Sequence, residues 1–492
     1  MEHRTDIASL PSEILAQIFE SATITGTGCL KTYSAVSSRW RASCLDYPHL
    51  WTNIRPFEMR DAVAWTAVSL ERSQSCLFDV TLHLPRVNPR EQPELMSVVG
   101  SVMLLVVQHV HRLHRLTIKG TAVANPEEIV APLQNAQRAP NLRVLDLDFG
   151  DRSNRASMTT HQTPLLLEAP LSSLRLHGVL SPVAFIGLSR LEVNGLGTPY
   201  SAFRDVVVAS PLLEELILPK LRLMTDLQST SLPPIEIPSL KRLALSFHKP
   251  HPSTSLVPYH NLISLLYVPN LEYLELVGGN IPDLSKCFQD PGVFTKLRTL
   301  RLANASIFHP VTRAEPEIDN SEYLRALSTV EELQFIHSHT NYLLPTEHDA
   351  GQQLRSRLPR TRSISNLGFL RPEPEPHTHP HKYSPESPEQ QPQLLSIFPD
   401  LRSISLDALP ASQVLWLYRL VLERPEIKEV RLSPVTERHL TSSLVMVDGV
   451  LQTKPHLHVK RLSTPEYQVV DVGELLREKV AVRKIEADGY IQ

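Results

Sequence analysis

Four side chains in this sequence are of a type that could act as strong nucleophiles: the thiols of Cys29, Cys44, Cys76 and Cys287. A cysteine reacts as its thiolate, which needs an adjacent base or a positive environment. None has a sequence-adjacent histidine, and no two form a C-x-x-C pair, so they read as reduced thiols, with Cys44 in the core of a helix. His377, His379 and His381 alternate and would fall on one side of an extended chain, but no cysteine or fixed scaffold accompanies them, and no metal site is expected. There is no phosphate-cradling glycine loop, no H-E-x-x-H and no G-x-S-x-G, and 17 glycines leave few places for a degenerate version. What remains is non-covalent recognition and reversible modification. Arg360-Thr361-Arg362-Ser363-Ile364-Ser365 has the form of a basic-directed kinase site, and Tyr383-Ser384-Pro385 and Glu386-Ser387-Pro388 that of proline-directed ones. A phosphate there would sit among Arg355, Arg357, Arg360 and Arg362. The expectation is a protein that is not an enzyme and uses no cofactor.

The bulk properties agree with that expectation. A formal net charge of −3 gives no general pull toward nucleic acid or an anionic membrane. The most apolar stretch, Val98–Val110, is too short to span a bilayer and contains Gln108 and His109. The opening residues Met1–Asp6 lack the apolar centre of a signal peptide, so a cytoplasmic or nuclear location is expected. A chain of 492 residues is too long for one ordinary core, and 41 prolines against 17 glycines imply many short elements with defined stops.

The elements that would position a binding surface begin at once. In Leu10-Pro11-Ser12-Glu13-Ile14-Leu15, proline suits the first helical position and Glu13 the positive end of the helix dipole. Ile14, Leu15, Ile18 and Phe19 then fall on one apolar face. A Gly-containing loop at Thr23–Gly28 precedes a second helix near Leu30–Ser37, a third holds Trp40 and Cys44, and Pro48–Trp51 closes the unit. Three short helices make a core so small that docking on a partner would add to its stability.

The blocks Leu10–Phe19, Val36–Arg41 and Pro48–Trp51, in this order, resemble the F-box. The resemblance implies binding to a Skp-type adaptor and, through it, to a cullin–RING scaffold. Carried over by position, Leu10, Pro11, Ile14 and Leu15 would contact the adaptor, with Val36, Ser37 and Trp40 extending that contact or supporting its core. Together with Trp65 and Leu70-Glu71-Arg72-Ser73, the module is also similar to the expanded F-box families of mushroom-forming fungi.

Behind it one pattern recurs, L-x-x-L-x-L, starting at Leu77, Leu113, Leu142, Leu171, Leu188, Leu213, Leu240, Leu271, Leu297, Val330, Leu401 and Ile427. Alternation within the pattern reads as a strand with one buried face, and no single unit can bury its leucines alone. Proline stands two residues ahead of six of these starts, where it would stop a preceding helix. Asn261–Val268 reads as one of the intervening helices. The pattern resembles leucine-rich repeats, which implies an α/β solenoid with parallel strands inside and helices outside. It departs from them in lacking the ladder asparagine, whose slot holds Gly150, Gly279 or Ala305, and in one short step, Leu171 to Leu188.

The expected organisation is an F-box at 6–55, a helical linker at 56–75, repeats at 76–344, a disordered Pro-rich insertion at 345–394, further repeats at 395–435 and a C-terminal cap at 436–492. Strands are expected at Leu444–Val447 and His456–Leu462, and a helix at Val472–Val480. In each repeat the residue between the last two apolar positions should face the open groove. These read Thr117, Asp146, Arg175, Glu192, Ile217, Ala244, Glu275, Arg301, Gln334, Ser405 and Arg431. Asp146, Arg175, Glu192, Glu275 and Arg301 are the candidate target contacts. Their mixed signs favour a protein target over nucleic acid. The expected function is a substrate-recognition subunit of a cullin–RING ubiquitin ligase, with an adaptor-bound assembly protein as the alternative.

Overall fold

The computed structural model describes residues 10–23, 28–58, 60–86, 88, 90–120, 126–136, 138–150, 168–177, 187–194, 197–219, 222–224, 232–246, 262–263, 265–278, 294–304, 328–337, 399–407, 409, 414–442, 444–447, 450–453, 468–470 and 476–484. The expected insertion at 345–394, with its histidines and kinase-like sites, lies outside them, as does His456–Leu462. The chain divides into two compact units, one spanning Met1–Leu297 with the last five residues, the other Arg298–Ala487.

The first unit opens with helices α1 (Ser12–Thr23), α2 (Gly28–Val36) and α3 (Ser38–Asp46) and a 3-10 turn at Pro48–Trp51. Leu15, Phe19, Leu30, Cys44, Leu50 and Trp51 form their core. Phe19 stacks on Tyr33 at 4.7 Å and meets Trp40 at 4.9 Å, so an aromatic cluster fills the space between the three helices. The Trp51 indole N–H donates to the Cys44 carbonyl at 2.8 Å, which satisfies the one polar atom this side chain carries inward.

The module runs without a break into a parallel sheet. Strand β1 (Asn53–Ile54) pairs with β2 (Phe78–His83), followed by β3 (Leu113–Lys119), β4 (Val144–Asp148), β5 (Ser173–His177), β6 (Arg190–Asn194), β7 (Glu215–Pro219), β8 (Arg242–Ser246) and β9 (Tyr273–Val277). The second unit carries β10 (Thr299–Ala303), β11 (Glu332–Ile336), β12 (Ser403–Leu406), β13 (Glu429–Leu432) and β14 (Ala481–Lys484), again all parallel. Helices α4 (Ala62–Arg72), α5 (Gln92–Gln108), α6 (Pro126–Asn135) and α7 (Tyr200–Val208) lie between strands of the first unit, α8 (Val414–Glu423) and α9 (Pro434–Ser442) between strands of the second. This is an N-terminal helical module followed by a repeating α/β array of parallel strands. The apolar stretch at 98–110 falls largely in α5, whose Val99, Val102, Met103 and Val106 make one buried stripe.

The predicted leucines stack as rows. Leu113, Leu142, Leu171, Leu188, Leu213, Leu240 and Leu271 form the first and are all buried. Leu116, Leu145, Leu174, Leu191, Leu216, Leu243 and Leu274, which are direct register partners along the sheet, form the second. Each buried leucine contributes about 1.5–3 kcal/mol. The short step from Leu171 to Leu188 is a true repeat, because β5 and β6 pair in parallel. The first start is corrected: Leu77 is exposed, and Phe78 takes the buried position opposite Leu113 after a register shift at Phe78/Asp79. The interrupted array continues across the insertion, since β11 pairs with β12. Of the expected helix at Asn261–Val268, Leu262 and Ile263 are helical and buried, but Leu266–Tyr267 is a strand that pairs with Ile235–Glu236. In the tail, Leu444–Val447 is antiparallel to both Val450–Thr453 and Gln468–Val470. Residues 436–492 do not all leave the repeat, because β14 rejoins the sheet beside β13.

The prolines ahead of the repeats sit at the second position of a tight turn, where their fixed φ suits the turn and no N–H is required. The closing bonds are Leu142 N–H to Ala139 O at 3.1 Å, Leu213 to Ser210 at 3.0 Å and Leu271 to Val268 at 3.1 Å. Side chains beside these turns bond back to the preceding repeat: Asn141 Nδ2 to His111 O at 2.6 Å, Ser239 Oγ to Leu213 O at 2.8 Å and Asn270 Nδ2 to Pro238 O at 2.6 Å. An inter-repeat polar ladder therefore stands at the strand entrance instead of the asparagine slot at its exit. At that exit Gly150 and Gly278 have φ of 73° and 114°, a left-handed backbone that glycine adopts without strain.

One buried guanidinium joins the module to the array. Arg112 donates through Nη2 to Leu70 O at 3.1 Å and through Nη1 to Ser73 Oγ at 3.2 Å, Cys76 O at 3.3 Å and Gln74 O, and it lies over the Phe78 ring at 5.3 Å. It thereby caps the end of α4, whose Trp65 packs on Trp51 at 5.4 Å. Replacing Arg112 with Met keeps apolar bulk near Phe78 but leaves those carbonyls without their donor, a loss of about 2–4 kcal/mol. Urea unfolding of the full chain should show an earlier first midpoint for Arg112→Met; an unchanged midpoint would refute this role for the residue.

Candidate functional site

The helical module presents one candidate surface. Leu15 and Phe19 turn inward and bury completely, which leaves Pro11, Ile14 and Ile18 on the outer stripe of α1 at i, i+3 and i+7. Ile14 is 41% exposed, Ile18 44%, and Val36 at the end of α2 57%. Of the residues expected to meet an adaptor, Pro11, Ile14, Val36 and Ser37 are thus at the surface. Leu10 and Trp40 are half-buried against the core. Leu15 has no exposed surface, so the expectation that it makes a contact is corrected to core packing. Ser37 has a task of its own: its hydroxyl accepts the Trp40 N–H at 3.1 Å and caps α3. Arg39 donates to the Leu10 carbonyl and fixes the start of α1 against α3. Ile18 was missed by motif matching. The four-residue spacing from Ile14 was the signal that could have found it.

The second surface is the face of the sheet opposite the leucines. Register places Thr117, Asp146, Arg175, Glu192, Ile217, Ala244 and Glu275 in one row, as expected. In the second unit Arg301, Gln334, Ser405 and Arg431 form another. Exposure along the rows differs from the expectation. Glu192, Ile217, Ala244, Glu275, Arg301, Gln334 and Ser405 are buried; from β7 to β12 the strands are covered on both faces at these positions and the period-two burial disappears, to return in β13. Glu275 has no exposed surface and accepts the Tyr273 hydroxyl at 3.1 Å, and Arg301 donates to Gln334 Oε1 at 2.8 Å. Neither side chain faces solvent, nor does Glu192, and all three drop out as direct target contacts.

Asp146, Arg175 and Glu192 are brought together. Arg175 Nε lies 3.0 Å from Glu192 Oε1 and 3.8 Å from Asp146 Oδ1. His177 joins them, with Nε2 at 2.8 Å from Glu192 and Nδ1 at 3.6 Å from Asp148. Sequence reading missed this histidine, although its place at the end of β5, two residues from Arg175, puts it on the same face. Burial pulls the His177 pKa down, but the nearby Asp148 carboxylate and the hydrogen bond to Glu192 outweigh it, and the net shift from 6.5 is upward. The His177 ring 3.6 Å away is also the main reason the Asp148 carboxyl falls to about 2, against the opposing effect of burial and helped by the Gly150 N–H. Burial raises Asp146 despite Arg175 and Lys119 nearby, and its Oδ1 has no hydrogen-bond partner.

The thiols divide. Burial pushes Cys44 up to about 11, a neutral thiol unsuited to attack. Cys76 Sγ lies 3.9 Å from His49 Nε2, a weak contact across 27 positions that no local spacing could show. Among the described residues no group of three or more His, Cys, Asp or Glu side chains could hold a metal ion, and no helix is long and apolar enough to cross a membrane.

An F-box-like family model matches residues 7–56, the helical module and its exit. The module is therefore F-box-like, which suggests an adaptor or receptor role in ubiquitin ligation. No curated protein matches the chain. A crystal structure of a Bacteroides fragilis protein is similar over 88% of this chain and 86% of that one, at 11% identity and a TM-score of 0.27, too shallow a likeness to carry an argument.

The His177 network has a signed pH consequence. A histidine whose pKa is raised on folding adds stability that is fully present below its unfolded value and is lost as pH rises through the folded one. Thermal melting of the full chain from slightly acid to slightly alkaline pH should show a decline that His177→Gln removes. A variant with the same pH slope as the native chain would mean the network does not act through this proton.

Proposed function

We propose that the chain is the substrate-recognition subunit of a cullin–RING (SCF-type) ubiquitin ligase. The observation that carries this reading is the uncovered stripe of Ile14 and Ile18 on α1, inside a module whose core is complete without them. Apolar side chains exposed on the matched residues are what a partner surface would bury. A Skp-type adaptor is the partner proposed, reached through Leu10, Pro11, Ile14, Ile18, Val36 and the edge of Trp40. The adaptor would bring a cullin–RING scaffold, and the leucine-rich array would hold a protein target near a charged ubiquitin carrier. Such a receptor contributes proximity and orientation, and the covalent steps belong to other subunits. In this reading residues 6–55 dock, 56–75 link, 76–344 and 395–435 recognise, 345–394 is an inserted segment and 436–492 closes the array. The setting proposed is cytoplasmic or nuclear.

The full chain co-expressed with a Skp-type adaptor should capture it, and Ile14→Asp with Ile18→Asp should abolish capture while the melting temperature holds. Failure of the folded native chain to capture adaptor would overturn the assignment. Cullin recovered with the adaptor supports the ligase subunit; adaptor without cullin would instead mark an assembly protein.

A further inference from the structure

Charged side chains along the inner face of β2–β8 are sorted by depth. In seven ion pairs that a lysine or arginine makes here among the described residues, the cation is the more exposed partner. Lys119 is 44% exposed against 16% for Asp146, Arg175 35% against 7% for Glu192, and Arg242 53% against 24% for Glu215. Carboxylates form a floor and cations a rim. Arg190 is held by a hydrogen bond to Glu215 at 3.0 Å, but three other cations of the rim keep donors to spare. Arg115 and Lys119 approach their acids only at 3.9 and 4.0 Å, beyond hydrogen-bond range. Arg175 makes its closest approaches to both acids through Nε, and among the described residues its Nη1 and Nη2 donate no hydrogen bond.

We propose that this face, over β3–β6, takes an extended, acidic segment of the target protein, with carboxylates or phosphates laid across the strands along Arg115, Lys119, Arg175 and Arg190. The proposal rests on reading the repeat face as the target site and specifies its chemistry. A carboxylate or phosphate accepts the two terminal nitrogens of Arg175 as a fork. A basic segment would meet cations first and reach the acids only by displacing them. The three strand spacings from β3 to β6, at about 4.8 Å each, match roughly four residues of extended chain. Nucleic acid fits less well. The floor nearly cancels the rim, so little of the charge excess that drives counterion release remains.

The test uses the full chain and fluorescence anisotropy at low salt. The probes are an octapeptide of alternating Glu and Ser, its serine-phosphorylated form, a Lys/Ser counterpart and a single-stranded DNA octamer. One or both anionic peptides should bind, and their ranking tells carboxylate from phosphate recognition. Arg175→Ala should weaken binding about tenfold and Lys119→Ala about threefold, in the range expected of interface charges. Arg138→Ala, an exposed cation off the row, should leave it unchanged. Arg175→Lys, which keeps the charge but loses the fork, should fall between native and Arg175→Ala, and matching melting temperatures separate recognition from folding. Equal or tighter binding of the Lys/Ser peptide, tighter binding of DNA, or no binding of either anionic peptide would overturn the proposal. Ile14→Asp with Ile18→Asp should not alter peptide binding, so failure here and failure of adaptor capture are read independently.

Discussion

A repeat of this array cannot bury its own leucines, and that constraint fixes nearly everything else. The apolar rows exist only when each strand lies beside the next in one register, and a slip of one residue would turn every leucine to the opposite face. The start of the array shows the strength of the requirement. The sequence offers Leu77, but the chain shifts at Phe78/Asp79 so that Phe78 takes the buried place beside Leu113 and Val80 aligns with Leu116. Once that register is set, the positions between the leucines are set too. The charges of the inner face are aligned because the leucines behind them are.

The same constraint explains how the helical module is held. Strand β1 leaves Trp51 after one residue and is already the first strand of the sheet, with Asp79 N–H donating to Thr52 O at 2.8 Å. Helix α4 then packs Trp65 on Trp51, and Arg72 lies over the same ring at 5.2 Å. Arg112, from the next repeat, closes the far end of α4. Sheet pairing, an aromatic contact and a buried guanidinium thus act on one short joint from three sides. A joint so constrained keeps the orientation between the α1 stripe and the strands of the first unit.

The parts legible in the sequence are those governed by local period. The helix opening at Pro11, the leucine rows and the turn prolines each follow from spacing within a few residues, and each stands where its chemistry requires. Exposure was less legible, because it depends on what covers a face. Leu15 and Ile14 are neighbours of the same residue class, and only packing of α2 and α3 decides that one is core and the other surface. Glu275 and Arg301 occupy groove positions by period and are nevertheless buried, since the strands from β7 to β12 are covered on both sides at these positions. The His177 network was hidden for a related reason: its members lie on three strands, and register, which no local pattern states, brings them together.

Depth-sorted charge has an energetic advantage over an unsupported row of arginines. Long cationic side chains lose rotamer freedom when a ligand fixes them, at about 0.5–1.5 kcal/mol for each one immobilised. A carboxylate floor at 3–4 Å restrains Arg175, Arg190 and Arg242 before any partner arrives, so part of that cost is met on folding. The floor also cancels most of the long-range field, which limits indiscriminate attraction of polyanions. Asp146 shows how close the balance is. Its carboxyl is raised by burial even with Arg175 and Lys119 beside it, whereas at Glu192 the neighbouring His177 and arginines outweigh burial and the carboxyl is lowered. An arrangement of that kind gives up attraction at a distance and keeps directional donors at contact, which is the balance selective recognition requires and general anion binding does not.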